Sequence, residues 1–348
     1  MKTEVYKILD PLNPDKDIIS KAAETIRRGG LVVFPTETVY GLGADATNET
    51  AVASIFNAKG RPSDNPLIIH VSSPEEADRY SYTSELYYRL AERFMPGPLT
   101  VIMKSRNNIP KRTRGGLDTV AVRCPETLIA RELIKSAGVP IAAPSANISG
   151  SPSPTSAKHV IDDMMGKVDV IIDGGDADFG LESTIVKIEN DGTLTLLRPG
   201  KITVEELESI ASVKIADAVT DKLGENEVAL SPGMKYRHYA PRAPLILIDG
   251  DISEITGYIK EQRKERIAVI AYEEFLPQIK RELPLAYVYS FGKADDEKAQ
   301  AHTLFSILRE ADVENFDEIY APLPKKSGIS LALYNRMIRA AAHKIIRL

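Results

Sequence analysis

The stretch LVVFPTETVYGLG, residues 31–43, contains an apolar segment followed directly by a polar one. Its first four residues are apolar and follow two glycines, which predicts a short buried strand. The polar residues Thr36, Glu37 and Thr38 come next and form the loop at the end of that strand. If the loop is extended, the two threonine hydroxyls point to one side and Glu37 to the other. A Pro-Thr turn with internally bonded hydroxyls is the alternative.

Two further polar segments follow predicted elements of the N-terminal part. The sequence KGRP at residues 59–62 ends a predicted helix, and PSAN at residues 144–147 follows a predicted strand. Each has an ordinary structural explanation, because helix ends favour cations and Ser and Asn form turns. However, strand ends in open α/β sheets are also where ligands bind. Together the segments predict a pocket for a phosphorylated ligand and a small polar co-substrate.

The first two thirds of the chain predict an irregular α/β arrangement. Strands are expected at residues 31–34, 67–71, 99–103, 120–123, 141–143, 168–172, 184–188 and 194–197. Helices are expected at residues 49–59, 87–94, 127–136, 155–165 and from 203, where TVEE is a capping box. Several neighbouring strands have no helix between them, so we expect a mixed sheet rather than a regular parallel one.

The last hundred residues predict a second, more regular domain. Its strands are expected at residues 245–248, 267–271, 285–289 and 318–321, and its helices at 252–265, 295–311 and 331–346. This alternation predicts a small Rossmann-like parallel sheet with helices on both faces. The expected fold class is α/β, with a catalytic domain at 1–211, a linker or lid at 212–243, and a C-terminal domain at 244–348.

The composition is that of a globular protein, with 43% hydrophobic residues, 27% charged residues and a formal net charge of −5. Its 348 residues suffice for two domains, since single cores stop growing at about 250–300 residues. No apolar run approaches the ~20 residues of a membrane span, and the N-terminus lacks a signal-peptide core. One cysteine is compatible with a reducing cytoplasm, where we expect the protein. The acidic balance disfavours general nucleic-acid binding.

Several familiar motifs are absent or fit poorly. Residues 41–46 match the pattern G-x-G-x-x-A, but no helix follows at once, which disfavours a dinucleotide site. Neither a P-loop nor a G-x-S-x-G elbow occurs. None of the five histidines has a Cys or His at metal-ligand spacing, so a structural zinc site is not expected. Cys124 is predicted to be a small buried hydrophobe rather than a reactive thiol.

Six motifs in this order resemble the YrdC-like family of threonylcarbamoyl-AMP synthases. They are PTETVYGL (35–42), KGRP (59–62), PGPLT (96–100), PSANISG (144–150), LEST (181–184) and LRPG (197–200). The resemblance covers the full chain, because longer members carry a further α/β domain behind a linker similar to SPGMKY at residues 231–236. It implies a YrdC-like twisted mixed sheet for the N-terminal domain.

The resemblance also implies an activity. Such a nucleotidyltransferase joins L-threonine, bicarbonate or CO₂, and ATP with Mg²⁺ into threonylcarbamoyl-adenylate and releases pyrophosphate. The product serves threonylcarbamoylation of the adenosine 3′ to the anticodon in tRNA (t6A), through downstream transfer proteins; direct tRNA binding is left open. The active-site signature corresponds to Lys59, Arg61, Ser145 and Asn147. Residues around threonine correspond to Thr38, His70, Arg123, Ala143 and Ser183. Residues around ATP correspond to Arg61, Asn65, Thr119, Ser145, Ser153, Arg198 and Tyr236.

Within this scheme we expect Lys59 and Arg61 to bind the triphosphate with Mg²⁺, whose ligands are mostly phosphate oxygens and water. Arg123 is expected to bind the threonine carboxylate, and the segment around Tyr236 to act as a lid. An RNA-binding module without chemistry is one alternative, and it predicts a contiguous basic face. An O-carbamoyltransferase is another, although such enzymes usually carry zinc fingers, which a single cysteine excludes.

Overall fold

The computed structural model describes residues 2–221, 230–231 and 238–348, and the chain divides into two compact units. The first unit comprises residues 1–149 and 153–235, and the second comprises residues 150–152 and 236–348. Residues 222–229 and 232–237 of the expected linker, including Tyr236, lie outside the described residues. In the described part of the chain, no helix is both long and apolar enough to cross a lipid bilayer.

The described residues of the first unit form one sheet of eleven strands. These are β1 (Glu4–Lys7), β2 (Val32–Phe34), β3 (Gly41–Asp45), β4 (Ile68–His70), β5 (Leu99–Lys104), β6 (Thr119–Arg123), β7 (Ile141–Ala142), β8 (Val170–Asp173), β9 (Thr184–Ile188), β10 (Leu194–Arg198) and β11 (Val213–Ile215). Their order is β1-β8-β2-β3-β7-β4-β6-β5-β9-β10-β11. Parallel pairs such as β4–β6 alternate with antiparallel pairs such as β4–β7, so the prediction of a mixed sheet is confirmed.

Several helices of the first unit begin or end at residues that favour helix ends. They are α1 (Lys16–Arg27), α2 (Glu49–Lys59), α3 (Glu85–Phe94), α4 (Leu128–Ala137), α5 (Ala157–Met164) and α6 (Val204–Glu208). The Asn48 side chain accepts two backbone N–H groups at the start of α2, and Gly60 ends that helix with a φ of 62°. The capping box predicted at Thr203 is present.

One apolar cluster fixes the strands that lead into the polar loops. Helices α1 and α4 contribute Ile26 and Leu133 to a buried core that also contains Phe34 of β2 and Ile141 of β7. Helix α1 is absent from the sequence-based expectations. Because β2 and β7 pack against this core, the loops that follow them start from rigid points.

The glycines of the G-x-G-x-x-A pattern lie in strand β3, where close packing leaves little room for a side chain. Residues 41–43 pair antiparallel with β2, and residues 44 and 45 with β7, rather than forming a strand-to-helix turn. A Cβ atom at Gly43 would lie 2.7 Å from Ile141 Cγ2 and 2.8 Å from Phe34 Cε1. Glycine therefore permits close packing here, which agrees with the sequence argument against a dinucleotide site.

The second unit contains a five-stranded sheet in its described residues, and all its pairs are parallel. The strands are β12 (Leu245–Asp249), β13 (Ile267–Ala271), β14 (Tyr287–Ser290), β15 (Glu318–Pro322) and β16 (Ile345–Arg347), in the order β14-β13-β15-β12-β16. The helices are α7 (Ile252–Glu261), α8 (Leu276–Glu282), α9 (Glu297–Ala311) and α10 (Ser330–Ala340). The predicted parallel sheet is thus confirmed.

The last predicted helix, residues 331–346, is too long. Helix α10 ends at Ala340, and Ala342 and His343 adopt φ angles of 50° and 64°. The chain then forms β16 beside β12. Left-handed conformations at non-glycine residues leave no composition signal, so the sequence pattern alone extends the helix across this turn.

Candidate active site

A single row of paired residues crosses six adjacent strands of the first sheet. In order across the sheet, the row contains Ile141, His70, Arg123, Thr100, Ile185 and Arg198. Residues paired directly across strands lie side by side on one face of a sheet. Three predicted site residues, His70, Arg123 and Arg198, are therefore brought to one level although they come from distant parts of the sequence.

Arg123 is held by the loop that follows β2. Its Nη2 donates to Glu37 Oε1 at 2.7 Å and to Thr38 Oγ1 at 2.8 Å. All three side chains are buried. Glu37 Oε2 also accepts the backbone N–H of Glu126, so the carboxylate is fixed at both oxygens. Arg123 Nε is buried and has no hydrogen-bond partner in the described residues. This edge of the guanidinium is therefore available to an anionic ligand.

The two threonines of this loop behave differently. Thr36 Oγ1 donates to Val39 O at 2.6 Å and accepts Val39 N at 3.2 Å, which is the internally satisfied turn. The Thr38 hydroxyl lies 2.8 Å from Thr36 Oγ1 and faces Arg123. The hydroxyls are thus on the same side, but Glu37 contacts Arg123 as well and does not point away from them. The expected turn is therefore present at Thr36, whereas Thr38 contacts Arg123, another predicted site residue.

His70 is completely buried beside Arg123. Burial and the nearby Arg123 charge lower the pKa of His70 to about 3, so the imidazole is neutral at physiological pH. Its Nδ1 lies 3.3 Å from Ile141 O. Because a carbonyl oxygen only accepts, Nδ1 carries the proton and Nε2 is an acceptor. His70 can therefore bind a ligand hydroxyl or amine, but it adds no positive charge.

Ser183, which is predicted to lie near threonine, contacts Arg198, which is predicted to lie near ATP. Its hydroxyl lies 2.8 Å from Thr100 Oγ1 and accepts Arg198 Nη2 at 3.0 Å. Arg198 Nε also donates to Ser183 O at 3.0 Å. Ser183 and Thr100 are fully buried and Arg198 is nearly so. A residue predicted to contact threonine and a residue predicted to contact ATP are therefore in direct contact.

Lys59 organises the loop after β7. Its Nζ donates to Ser145 O at 2.5 Å, to Asn147 O at 2.6 Å and to Asn147 Oδ1 at 3.3 Å. The Ser145 hydroxyl donates to the same Asn147 Oδ1 at 2.6 Å. Lys59 is only 2% exposed. Three of the four signature residues, Lys59, Ser145 and Asn147, therefore form one hydrogen-bonded cluster. In it, the Lys59 ammonium group fixes the backbone of the loop after β7.

Two backbone hydrogen bonds tie this cluster to the Thr38 loop. Ala146 N donates to Tyr40 O at 2.8 Å, and Leu42 N donates to Pro144 O at 2.8 Å. Ala143, which precedes the loop, is buried and donates its N–H to Ile68 O. The segment 38–42 therefore lies between the two groups of predicted site residues.

Arg61 and Asn65 lie in the short loop between α2 and β4. Arg61 is half-buried, and its Nη2 donates to Pro66 O at 3.2 Å. Asn65 is 2% exposed, yet neither oxygen nor nitrogen of its amide has a hydrogen-bond partner in the described residues. A buried amide without partners is costly, so Asn65 is a candidate ligand-binding group.

The remaining predicted nucleotide residues lie at different places. The Ser153 hydroxyl is buried and donates to Glu182 Oε1 at 2.5 Å. Thr119 begins β6, four residues before Arg123 and on the same face of the strand, about 13 Å away along it. Tyr236 lies outside the described residues.

Sequence reasoning did not select Glu37, Thr100 or Glu182 as site residues. Each occurs inside a motif that the sequence analysis quoted, PTETVYGL, PGPLT or LEST. Their partners, Arg123, Ser183 and Ser153, are predicted site residues. The sequence signal that could have identified these three residues is their position inside the quoted motifs.

Cys124 has no place in covalent chemistry here. It is fully buried, and burial raises the pKa of its thiol to about 12. The prediction of a small buried hydrophobe is confirmed. Within the described residues, no group of three or more His, Cys, Asp or Glu side chains could hold a metal ion.

Two family models match adjoining parts of the chain. The Sua5/YciO/YrdC model, described as "Telomere recombination", matches residues 24–200. The model described as "Threonylcarbamoyl-AMP synthase, C-terminal domain" matches residues 202–342. The chain is also 44% identical to the threonylcarbamoyl-AMP synthase of Pyrococcus abyssi, over 94% of each protein. The chain belongs to the threonylcarbamoyl-AMP synthase family. Members of this family are nucleotidyltransferase-type enzymes, and this chain is one of them.

Another member of the threonylcarbamoyl-AMP synthase family, from Bacillus subtilis, is 40% identical over the full length of both chains. Among solved structures, P. abyssi Sua5 complexed with L-threonine superimposes with a TM-score of 0.89. It has 41% sequence identity and covers 99% of this chain and all of that one. The fold described above is therefore the family's fold in both units.

Proposed function

We propose that this enzyme makes L-threonylcarbamoyl-adenylate from L-threonine, bicarbonate or CO₂, and ATP, and releases pyrophosphate. The observation that supports this proposal best is the buried Arg123, which Glu37 and Thr38 hold while its Nε is unpaired. A second polar cluster lies around Lys59. One centre suits an amino-acid carboxylate, and the adjoining loops suit a nucleotide. The threonine complex of the P. abyssi relative supports the choice of amino acid.

Threonine would bind along the row on the sheet. Arg123 offers its unpaired Nε–H to the carboxylate, while both hydrogens of Nη2 stay with Glu37 and Thr38. His70 Nε2 and the Ser183 hydroxyl offer neutral hydrogen bonds to the substrate hydroxyl and amine. The neutral state of His70 matters because its Nε2 can accept an N–H of the reacting amine and leave the nitrogen lone pair free.

ATP would bind over the loops that carry Arg61 and Asn65. Arg61 supplies charge for the phosphates, and the unpaired Asn65 amide supplies a donor and an acceptor. Ser153, Thr119 and Arg198 complete the proposed set, and Tyr236 remains a sequence-based prediction. Mg²⁺ would arrive with the triphosphate and neutralise part of its charge. Such an ion would be bound largely by phosphate oxygens and water.

The chemistry needs alignment more than a covalent intermediate. The amine nitrogen bonds to the carbon of CO₂ and loses a proton, which gives a carbamate. A carbamate oxygen then bonds to the α-phosphorus while the bond to the bridging oxygen breaks, and pyrophosphate leaves. Holding three reactants in register can contribute about 7–11 kcal/mol. The buried, non-nucleophilic Cys124 agrees with a route that has no enzyme-bound intermediate.

The hydrogen bonds of Lys59 support a more specific role for this residue than the sequence suggested. Its ammonium group fixes the backbone of Ser145 and Asn147. We propose that Lys59 acts mainly through this loop, whose serine hydroxyl and amide position phosphate or carbamate oxygens. Arg61, which is half-buried, is then the main direct cationic contact of the triphosphate.

The product would serve t6A formation in cytoplasmic tRNA. Threonylcarbamoyl-adenylate is a mixed anhydride that water hydrolyses, so rapid transfer to downstream threonylcarbamoyl-transfer proteins is expected. Such contacts would be transient.

The test is incorporation of labelled bicarbonate into an AMP-linked product by the full chain. We expect product and pyrophosphate only when threonine, bicarbonate and ATP are all present. Arg123→Ala should abolish threonine-dependent product formation, whereas Arg28→Ala, at the exposed end of α1, is the matched control and should leave it unchanged. Equal product without threonine would overturn the proposal. Carbamoyl transfer without threonine would favour an O-carbamoyltransferase, and salt-dependent tRNA binding without turnover would favour an RNA-binding module.

A further inference from the structure

The second unit contains a cavity of about 250 Å³ at the carboxyl ends of β12, β13 and β15. Buried apolar side chains form its floor: Val269, Ile270, Ala271, Ile279, Tyr320 and Ala321. This cavity is separate from the residues of the proposed active site, all of which belong to the first unit or to the undescribed segment.

The strand connections make this edge a natural binding position. Strands β13 and β15 are neighbours, but the chain leaves them in opposite directions. After β13 it continues to β14 on one side, and after β15 it continues to β16 beyond β12 on the other. In open parallel sheets, ligands bind in the crevice outside the strand ends where the connections diverge.

The mouth of the cavity is unusually apolar for a surface. Ile252 and Ile255 of α7, together with Tyr272 and Phe275, line it and are each only half-buried. Keeping several large apolar side chains partly in water is unfavourable. A bound molecule that covers them would remove this cost.

The lining disfavours charged ligands. Asp251 is the charged member of the described lining, and its Oδ1 accepts the N–H groups of Ser253 and Glu254 at the start of α7. Glu254 closes the capping box by accepting the N–H of Asp251. Because these helix donors are already used, an anion finds little to bind, and the Asp251 carboxylate repels it further.

Size and shape favour an aromatic occupant. An apolar cavity of about 150 Å³ accommodates benzene, so 250 Å³ leaves space for a two-ring molecule. The Tyr272 ring stacks on Phe291 at 6.0 Å between centroids and lies 6.4 Å from Phe275, which gives the cavity an aromatic wall. Flat rings pack well against such walls. We propose that this cavity binds a small uncharged molecule with a one- or two-ring aromatic body.

Indole is a suitable probe because the chain contains no tryptophan. Indole fluorescence, excited beyond tyrosine absorption, then reports binding to the full-length protein without background. We expect saturable binding with a dissociation constant between about 10 µM and 1 mM. Ile255→Gln at the cavity mouth should weaken it at least about fivefold. Leu285→Gln, at a position 90% exposed and outside the cavity, should leave it unchanged.

A second variant protects the test against misfolding. Ala321→Leu fills the cavity from its floor. The thermal unfolding of this variant and of Ile255→Gln, followed by circular dichroism, is compared with that of the parent. If either variant retains the parental melt and loses indole binding, the proposal stands. Three outcomes overturn it: absence of saturation in the parent, parental affinity in both folded variants, or binding of indole-3-acetate as tight as that of indole, since the lining disfavours its carboxylate.

Discussion

Replacing Lys59 by methionine tests whether this residue anchors the loop after β7 or binds the triphosphate directly. Methionine keeps the length and the apolar stem but removes three donated hydrogen bonds, to Ser145 O, Asn147 O and Asn147 Oδ1. Losing this donor costs about 1–3 kcal/mol for each buried acceptor, and less for Asn147 Oδ1, which keeps the Ser145 hydroxyl. Because the contacts share one loop, the costs do not add fully, and we expect roughly 2–5 kcal/mol.

For a unit of this size, 1 kcal/mol shifts the melting temperature by about 2–4 °C, so the first unfolding transition should fall by about 4–20 °C. The anchoring role also predicts that kcat falls by about 10²-fold, whereas KM for ATP changes less than about threefold. Lys158→Met is the matched control, because Lys158 is 82% exposed and pairs with its helix neighbour Asp162. Calorimetry and pyrophosphate release measure the two effects. If Lys59→Met melts like the control while KM for ATP rises and kcat holds, Lys59 contacts the nucleotide and our reasoning is wrong.

Three further predictions address the row on the sheet and the cysteine. Arg123→Lys should raise KM for threonine at least about tenfold and leave KM for ATP nearly unchanged. A single ammonium nitrogen cannot reproduce the spread of the fork, whose Nη2 binds Glu37 and Thr38 while Nε faces the proposed carboxylate. An unchanged threonine KM would contradict this. Burial lowers the pKa of His70 to about 3, so its contribution to stability is present above about pH 6.5 and is lost as the pH falls towards 3. His70→Gln should therefore flatten the decline of melting temperature in that window, and parallel curves would refute the assignment. Cys124, whose thiol pKa burial raises to about 12, should react with a disulfide reagent only after unfolding; rapid labelling of the native protein would count against its burial.

The fold was predictable where local chemistry marks the ends of elements. Asn48 and Gly60 frame α2, and Thr203 starts α6, each through contacts within a few residues. Strand β3 was missed because Gly41 and Gly43 lower its strand signal, and their purpose depends on Phe34 and Ile141 packing against them. Such requirements arise from tertiary packing, which no local pattern contains.

The site was predictable in its residue types but not in its connections. Strand ends rich in hydroxyl and cationic groups indicated Thr38, Arg123 and Ser145, and the motif resemblance supplied their grouping. That Glu37 neutralises Arg123, or that Lys59 spends its hydrogen bonds on a neighbouring loop, depends on side chains separated by more than 80 positions in sequence. These pairings depend on how strands, helix α2 and loops come together in the fold, which no local pattern contains.

The row on the first sheet is completed late in the life of the newly made chain. Its members come from β7, β4, β6, β5, β9 and β10, so the last of them is in place only when residues up to 198 have joined the sheet. A slip of one residue between any two of these strands would turn the affected side chain to the opposite surface. If threonine binds along this row as proposed, its affinity measured during refolding reports when the central sheet has reached its native alignment.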